Sequence, residues 1–215
     1  MPVRRIPPSH RAITGRLAAL KAIGPAHYES ALERDYLITL EADPTVLAYE
    51  IQPIRLDYRD SLGQARRYTP DVLVFRQGDV IELVEVKYVA DIQELRVKHR
   101  ERWVMASHYA REQGWHFRLI TERHARTPRA RNWLFLSTFR VMTPPPELLT
   151  RMQAVLAASG PLSISAWLSQ LEEPDAEVLP FVWHLLCLGK VTVNLNQPLS
   201  LAATVSLVPA EVTHA

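Results

Sequence analysis

The stretch from Tyr68 to Tyr88, YTPDVLVFRQGDVIELVEVKY, constrains the fold more than any other part of the chain. Val72 and Val74, then Ile81 and Leu83, alternate with other residues on either side of the polar Arg76-Gln77-Gly78-Asp79 turn, so the segment reads as a β-hairpin. Its surroundings set the fold class. A helix is expected from His27 to Glu41, with Tyr28, Leu32, Tyr36 and Leu40 at i+4 spacing and Pro25 near its start. A strand from Ile51 to Tyr58 and the turn DSLGQ precede the hairpin. A longer helix, Ile92 to Gln113, ends at Gly114. WHFRLIT then reads as a strand, and TPRARNWLFLSTF as a loop running into a helix. The order α-β-β-β-α-β-α predicts a mixed α/β layer arrangement.

Thr143 to Glu147, TPPPE, stops both helix and sheet ladders and sets the expected domain boundary. Charge changes at the same point. Residues 1–141 carry 23 Lys and Arg against 17 Asp and Glu, a balance of +6, and residues 142–215 carry 2 against 6, a balance of −4. The front domain, 1–141, suits a polyanionic partner and the back domain, 142–215, does not. The front is expected to open with an extended, Pro- and Arg-containing arm.

No run of 18 apolar residues suggests a membrane span, and the basic amino terminus lacks the apolar core of a signal peptide. The single Cys187 precludes an internal disulfide and fits a reducing cytoplasm. It reads as a small hydrophobe, since His184-x-x-Cys187 has no second pair to complete a zinc site.

Within the hairpin, alternate side chains share a face, so Glu85 and Lys87 point one way while Val84 and Val86 point the other. Asp71 opens the paired strand after Pro70 and is placed to approach Glu85. Two carboxylates beside an ammonium suit a hard divalent cation such as Mg²⁺, with Mn²⁺ as a substitute. Such a cation bridges a phosphate and its attacking water, while Lys87 stabilises charge or orients that water. The plain alternative is an exposed Glu-x-Lys strand face beside a turn aspartate. Glu82 and Glu94 have no partner in the pattern and read as surface residues. Trp103, Trp115 and Trp133 read as core, and His99, His108, His116 and His124 as surface or helper residues.

Pro70-Asp71 followed by Glu85-Val86-Lys87, with a glutamate-bearing helix before and an arginine-rich segment after, resembles the PD-(D/E)xK nuclease superfamily. Within it the chain is most similar to TnsA, the endonuclease subunit of heteromeric transposases. The resemblance covers about residues 25–140, through SALERDYLITLEADPTVLAYEIQP, RRYTPDVLV, LVEVK and LITERHARTPRARNWLFL. It implies a restriction-endonuclease-like mixed sheet flanked by helices. It also implies a site of Glu33, Asp71, Glu85 and Lys87, with metal on Asp71, Glu85, the Val86 carbonyl and Glu33. Glu29, one turn before Glu33 on the same helix face, stays open as its alternative. The implied activity is Mg²⁺-dependent cutting of the 5′ ends of a transposon, with transposon-end DNA, a TnsB-like transposase and a TnsC-like AAA+ ATPase as partners. A free-standing restriction or repair nuclease, and a non-catalytic binding module on a decayed nuclease, are the rival readings.

Arg126, Arg129 and Arg131 are the candidate phosphate contacts, holding DNA without reading its sequence. In the back domain, helices at Pro146–Ala158, SISAWLSQL and AEVLPFVWHLLCLG precede a hairpin over 190–208. Together they resemble a winged helix-turn-helix.

Overall fold

A computed structural model describes residues 13–98 and 100–208 of the chain. The amino-terminal part of the expected arm (residues 1–12) and His99 lie outside the described residues. The chain divides into two compact units between Ala130 and Arg131, ahead of the proline run.

The front unit opens with a short antiparallel pair, β1 (Gly15–Leu17) and β2 (Ala26–Tyr28). The expected helix therefore begins later, as α1 (Ala31–Ala42). Strand pairing takes the residues after Pro25, and Ser30 caps the helix instead. Its Oγ accepts from the Glu33 backbone N–H at 3.1 Å, and Glu33 in turn accepts from the Glu29 N–H at 2.7 Å and the Ser30 hydroxyl at 3.0 Å. This reciprocal cap fixes where the helix starts. Ser30→Ala is expected to cost about 1 kcal/mol, read as a lower thermal midpoint.

The expected Ile51–Tyr58 strand is two strands, β3 (Val46–Ile51) and β4 (Leu56–Arg59). The break is at Gln52, whose φ of 48° leaves the extended region, followed by Pro53. β4 pairs with β5 (Ala65–Tyr68) as a separate hairpin across the DSLGQ turn. The main hairpin, β6 (Val72–Arg76) and β7 (Val80–Val86), forms as expected, with left-handed backbone at Gly78 and Asp79. Helix follows over α2 (Val89–Lys98) and α3 (Arg100–Glu112), then β8 (His116–Ile120), α4 (Glu122–Ala125) and α5 (Pro128–Ser137).

The main sheet runs β3-β6-β7-β8, antiparallel except for the parallel β7–β8 pair. Helices flank it, and strand alternation assigns its residues to two cores. Val72, Val74, Val84 and Val86 pack with Leu32, Tyr36 and Leu40 of α1. Leu73 and Leu83 pack with Trp103, Ala106 and Ala110 of α3. Burying both faces explains why these strands are so apolar. It also corrects the expectation for Glu82, which is buried and bonded to Arg76 at 2.8 Å rather than lying at the surface. Glu94 is exposed as expected.

The back unit holds α6 (Pro146–Ser159), β9 (Leu162–Ser163), α7 (Ile164–Leu168), α8 (Asp175–Cys187), β10 (Val191–Val193) and β11 (Thr204–Leu207). The expected SISAWLSQL helix is shorter: Ser163 pairs with β11 and caps the start of α7, and the helix ends at Leu168. Trp167, Met152, Ile164, Val178 and Val182 form its core, with Cys187 packed at the edge.

Candidate active site

The β6–β7 register places Val72 opposite Val84, and one residue further out it sets Asp71 opposite Glu85. Two hydrogen bonds fix the pair. The Asp71 N–H donates to the Val84 carbonyl at 3.0 Å, and the Val86 N–H donates to Asp71 Oδ2 at 2.7 Å. Alternation then turns Glu85 towards the α3 side of the sheet, where it is 2% exposed.

A carboxylate that deep needs partners. Glu85 Oε2 accepts from the Tyr68 hydroxyl at 2.6 Å, and Oε1 lies 3.2 Å from an Arg102 guanidinium nitrogen and 3.0 Å from Lys87 Nζ. Arg102 also stacks over the Tyr68 ring, 5.2 Å from its centroid. Burial and the Glu85 charge hold the Tyr68 phenol well above its ordinary pKa, so it stays a donor. Sequence reading missed Tyr68 and Arg102. Tyr68 stands in the hairpin stretch itself, but only the β4–β5 fold-back brings it over β7, and no local pattern ties Arg102 to Glu85.

Lys87 Nζ sits among three oxygens, Val86 O at 2.8 Å, Glu85 Oε1 at 3.0 Å and Asp71 Oδ2 at 3.4 Å. Burial opposes its charge, but Asp71 and Glu85 outweigh that and raise its pKa above the usual value. Asp71 responds the other way. Burial and then the Glu85 charge push its carboxyl up to about 7, against the opposing pull of Lys87.

The oxygens expected to hold a metal on β6 and β7 are therefore the same three that hold the ammonium. Their fit to a hard divalent cation rests on that. They converge on positive charge, and two of them belong to carboxylates whose mutual repulsion a cation relieves. Glu33 is placed differently. It lies near enough to Asp71 and Lys87 to influence both, but its two oxygens are occupied by the α1 cap. Among the described residues no three Asp, Glu, His or Cys side chains form a ready metal cluster. Glu29 instead meets Gln52, whose Nε2 donates to Glu29 Oε1 at 3.0 Å. The three candidate arginines differ in setting. Arg126 pairs with Asp35 at 2.8 Å and reaches Tyr88, Arg129 is half-buried, and Arg131 is exposed on the far side of the unit division.

A paired Asp and Glu with an adjacent Lys, at the end of two central strands of a mixed sheet, defines a site suited to phosphodiester hydrolysis. Residues 43–122 match the family model of the TnsA-like endonuclease N-terminal domain. That stretch of the front unit is thus similar to a TnsA-like endonuclease domain. The match runs from the end of α1 to the start of α4, so it includes Asp71, Glu85 and Lys87 and leaves Glu29 and Glu33 outside. No curated protein matches the chain. None of the described helices is long and apolar enough to cross a membrane.

Proposed function

We propose that this protein is a divalent-metal-dependent DNA endonuclease, the TnsA-type subunit of a heteromeric transposase that cuts the 5′ ends of a transposon. The carrying observation is that the matched domain contains the Asp71, Glu85 and Lys87 cluster in bonded contact. Asp71, Glu85 and the Val86 carbonyl would hold Mg²⁺ or Mn²⁺, with Glu33 nearby on the restriction-endonuclease-like fold. When bound, the cation supplies charge to the scissile phosphate and lowers the pKa of an attacking water. The chain does the rest. Tyr68 and Arg102 fix the Glu85 rotamer, the Val86 N–H fixes Asp71, and Lys87 presents a permanent positive charge at the phosphate. Hydrolysis leaves a 5′-phosphate and a 3′-hydroxyl, and Arg126, Arg129 and Arg131 contribute to holding the backbone of the duplex.

The back unit, read as winged-helix-like, is assigned to protein contact with a TnsB-like transposase or a TnsC-like AAA+ ATPase. Its α8 has no Lys or Arg, and Val178, Val182, Trp183, Leu185 and Leu186 are turned into the unit's own core. A helix that reads a groove needs an exposed face and gains from cations there.

The test is nicking of duplexes carrying the transposon ends, with and without the partner subunits. Mg²⁺ and Mn²⁺ are expected to support cutting at the 5′ ends, and Ca²⁺ to support binding with little turnover. Cutting that persists after exhaustive chelation overturns the metal reading. Site-selective cutting of unrelated duplexes by the chain alone favours a free-standing nuclease.

A further inference from the structure

Gln52 carries two costs in one residue. Its φ of 48° is in the left-handed region, which a side chain with a Cβ disfavours by roughly 1–2 kcal/mol. Its carboxamide is buried, with the residue 8% exposed, yet Oε1 has no hydrogen-bond partner among the described residues. A buried acceptor without a partner costs about 1–3 kcal/mol. Both costs fall beside the candidate site. The Gln52 N–H donates to the Asp71 carbonyl at 2.9 Å, and its Nε2 donates to Glu29 Oε1 at 3.0 Å. The amide orientation is set by that second bond, since turning it over would aim Oε1 at a carboxylate.

A glycine at position 52 would remove the backbone cost, and the backbone bond to Asp71 would survive it. What the position gains from glutamine is therefore the side chain. Strain and an unmet hydrogen bond that coincide next to reactive groups mark a functional device. Resting on the nuclease reading above, we propose that Gln52 is a positioning residue of that site. Its Nε2 holds the Glu29 carboxylate beside the Asp71 strand end, and its Oε1 accepts a hydrogen bond from a water of the hydrated cation. Glu29 thereby acts from the outer shell, through water, while Glu33 keeps the helix cap. A carbonyl acceptor and a carboxylate on the same waters orient their lone pairs and raise their basicity, the role outer partners play around metals.

The experiment compares the full chain with Gln52→Met, which fills the same volume without hydrogen bonds, and Gln52→Gly, which relieves the backbone. Thermal shift against Mg²⁺ concentration reads metal binding without any requirement for cleavage. Both variants are expected to raise the Mg²⁺ midpoint roughly tenfold. Cleavage should show a lower kcat with an unchanged KM for DNA, and Gln52→Gly should melt no lower than wild type. A wild-type Mg²⁺ midpoint in Gln52→Met overturns the proposal, including where that variant simply melts lower, which would make Gln52 a structural filler. Failure of the nuclease reading shows separately, as no Asp71-dependent Mg²⁺ shift in the wild type itself. That result also overturns the Gln52 role.

Discussion

Lys87→Ala, Asp71→Asn and Glu85→Gln are each expected to lower DNA cleavage by about a hundredfold or more, with the fold retained. The three side chains form one bonded unit, so each substitution removes charge or a charge partner from the same point. Their effects on metal should differ, and that difference separates their roles. Asp71→Asn and Glu85→Gln take negative oxygens from the donor set and should weaken the Mg²⁺-induced thermal shift. Lys87→Ala removes the cation that occupies those oxygens, so it should leave the shift intact or move it to lower Mg²⁺. Cleavage near the wild-type rate by Lys87→Ala would defeat the assignment. Tyr68 and Arg102 bear on the same outcome, because they hold Glu85 in place from the α3 side.

Asp71→Asn should also stabilise the metal-free protein above neutral pH. The folded-state pKa of Asp71 is raised to about 7 by burial and by Glu85, above the roughly 3.9 of an unfolded aspartate. A raised carboxyl binds more protons folded than unfolded between those values. Its contribution is complete below about pH 4 and is lost as pH rises towards 7. At pH 8 the chelated wild type therefore carries the full cost of ionising Asp71, and the asparagine variant does not. Three pKa units set an upper bound of about 4 kcal/mol. With the side chain one-fifth exposed, roughly 1–3 kcal/mol is expected. Melts of chelated protein should nearly coincide at about pH 4 and separate at pH 8, with the variant higher by several degrees. Saturating Mg²⁺ should narrow the gap by stabilising the wild type more than the variant. A variant that melts lower at pH 8 would show that the Val86 and Lys87 bonds to Asp71 outweigh the repulsion.

The sequence by itself determined the parts of this protein that are local or periodic. Alternating valines and leucines around Gln77-Gly78-Asp79 specify the β6–β7 hairpin, because the side-chain period of a strand is 2 and the turn needs left-handed backbone. That register alone brings Asp71 opposite Glu85, so the core of the candidate site was legible in one stretch of about twenty residues. The pattern Asp71, Glu85, Val86, Lys87 pointed to the family that residues 43–122 match.

Tertiary structure decided whatever depends on chain segments distant in sequence. Glu82 looks like any strand-face glutamate until β8 and Arg76 enclose it. Glu33 fits the motif, yet its oxygens are drawn to the Glu29 N–H and the Ser30 hydroxyl just before α1. Gln52 reads as one polar residue in a strand, and only the β3–β6 pairing sets it against Asp71 and Glu29. Tyr68 and Arg102 meet Glu85 because a separate hairpin and a following helix cover the same sheet face. The physical reason is common to all of these residues. A buried polar group must find its partner wherever the fold supplies one, and sequence distance does not limit that choice.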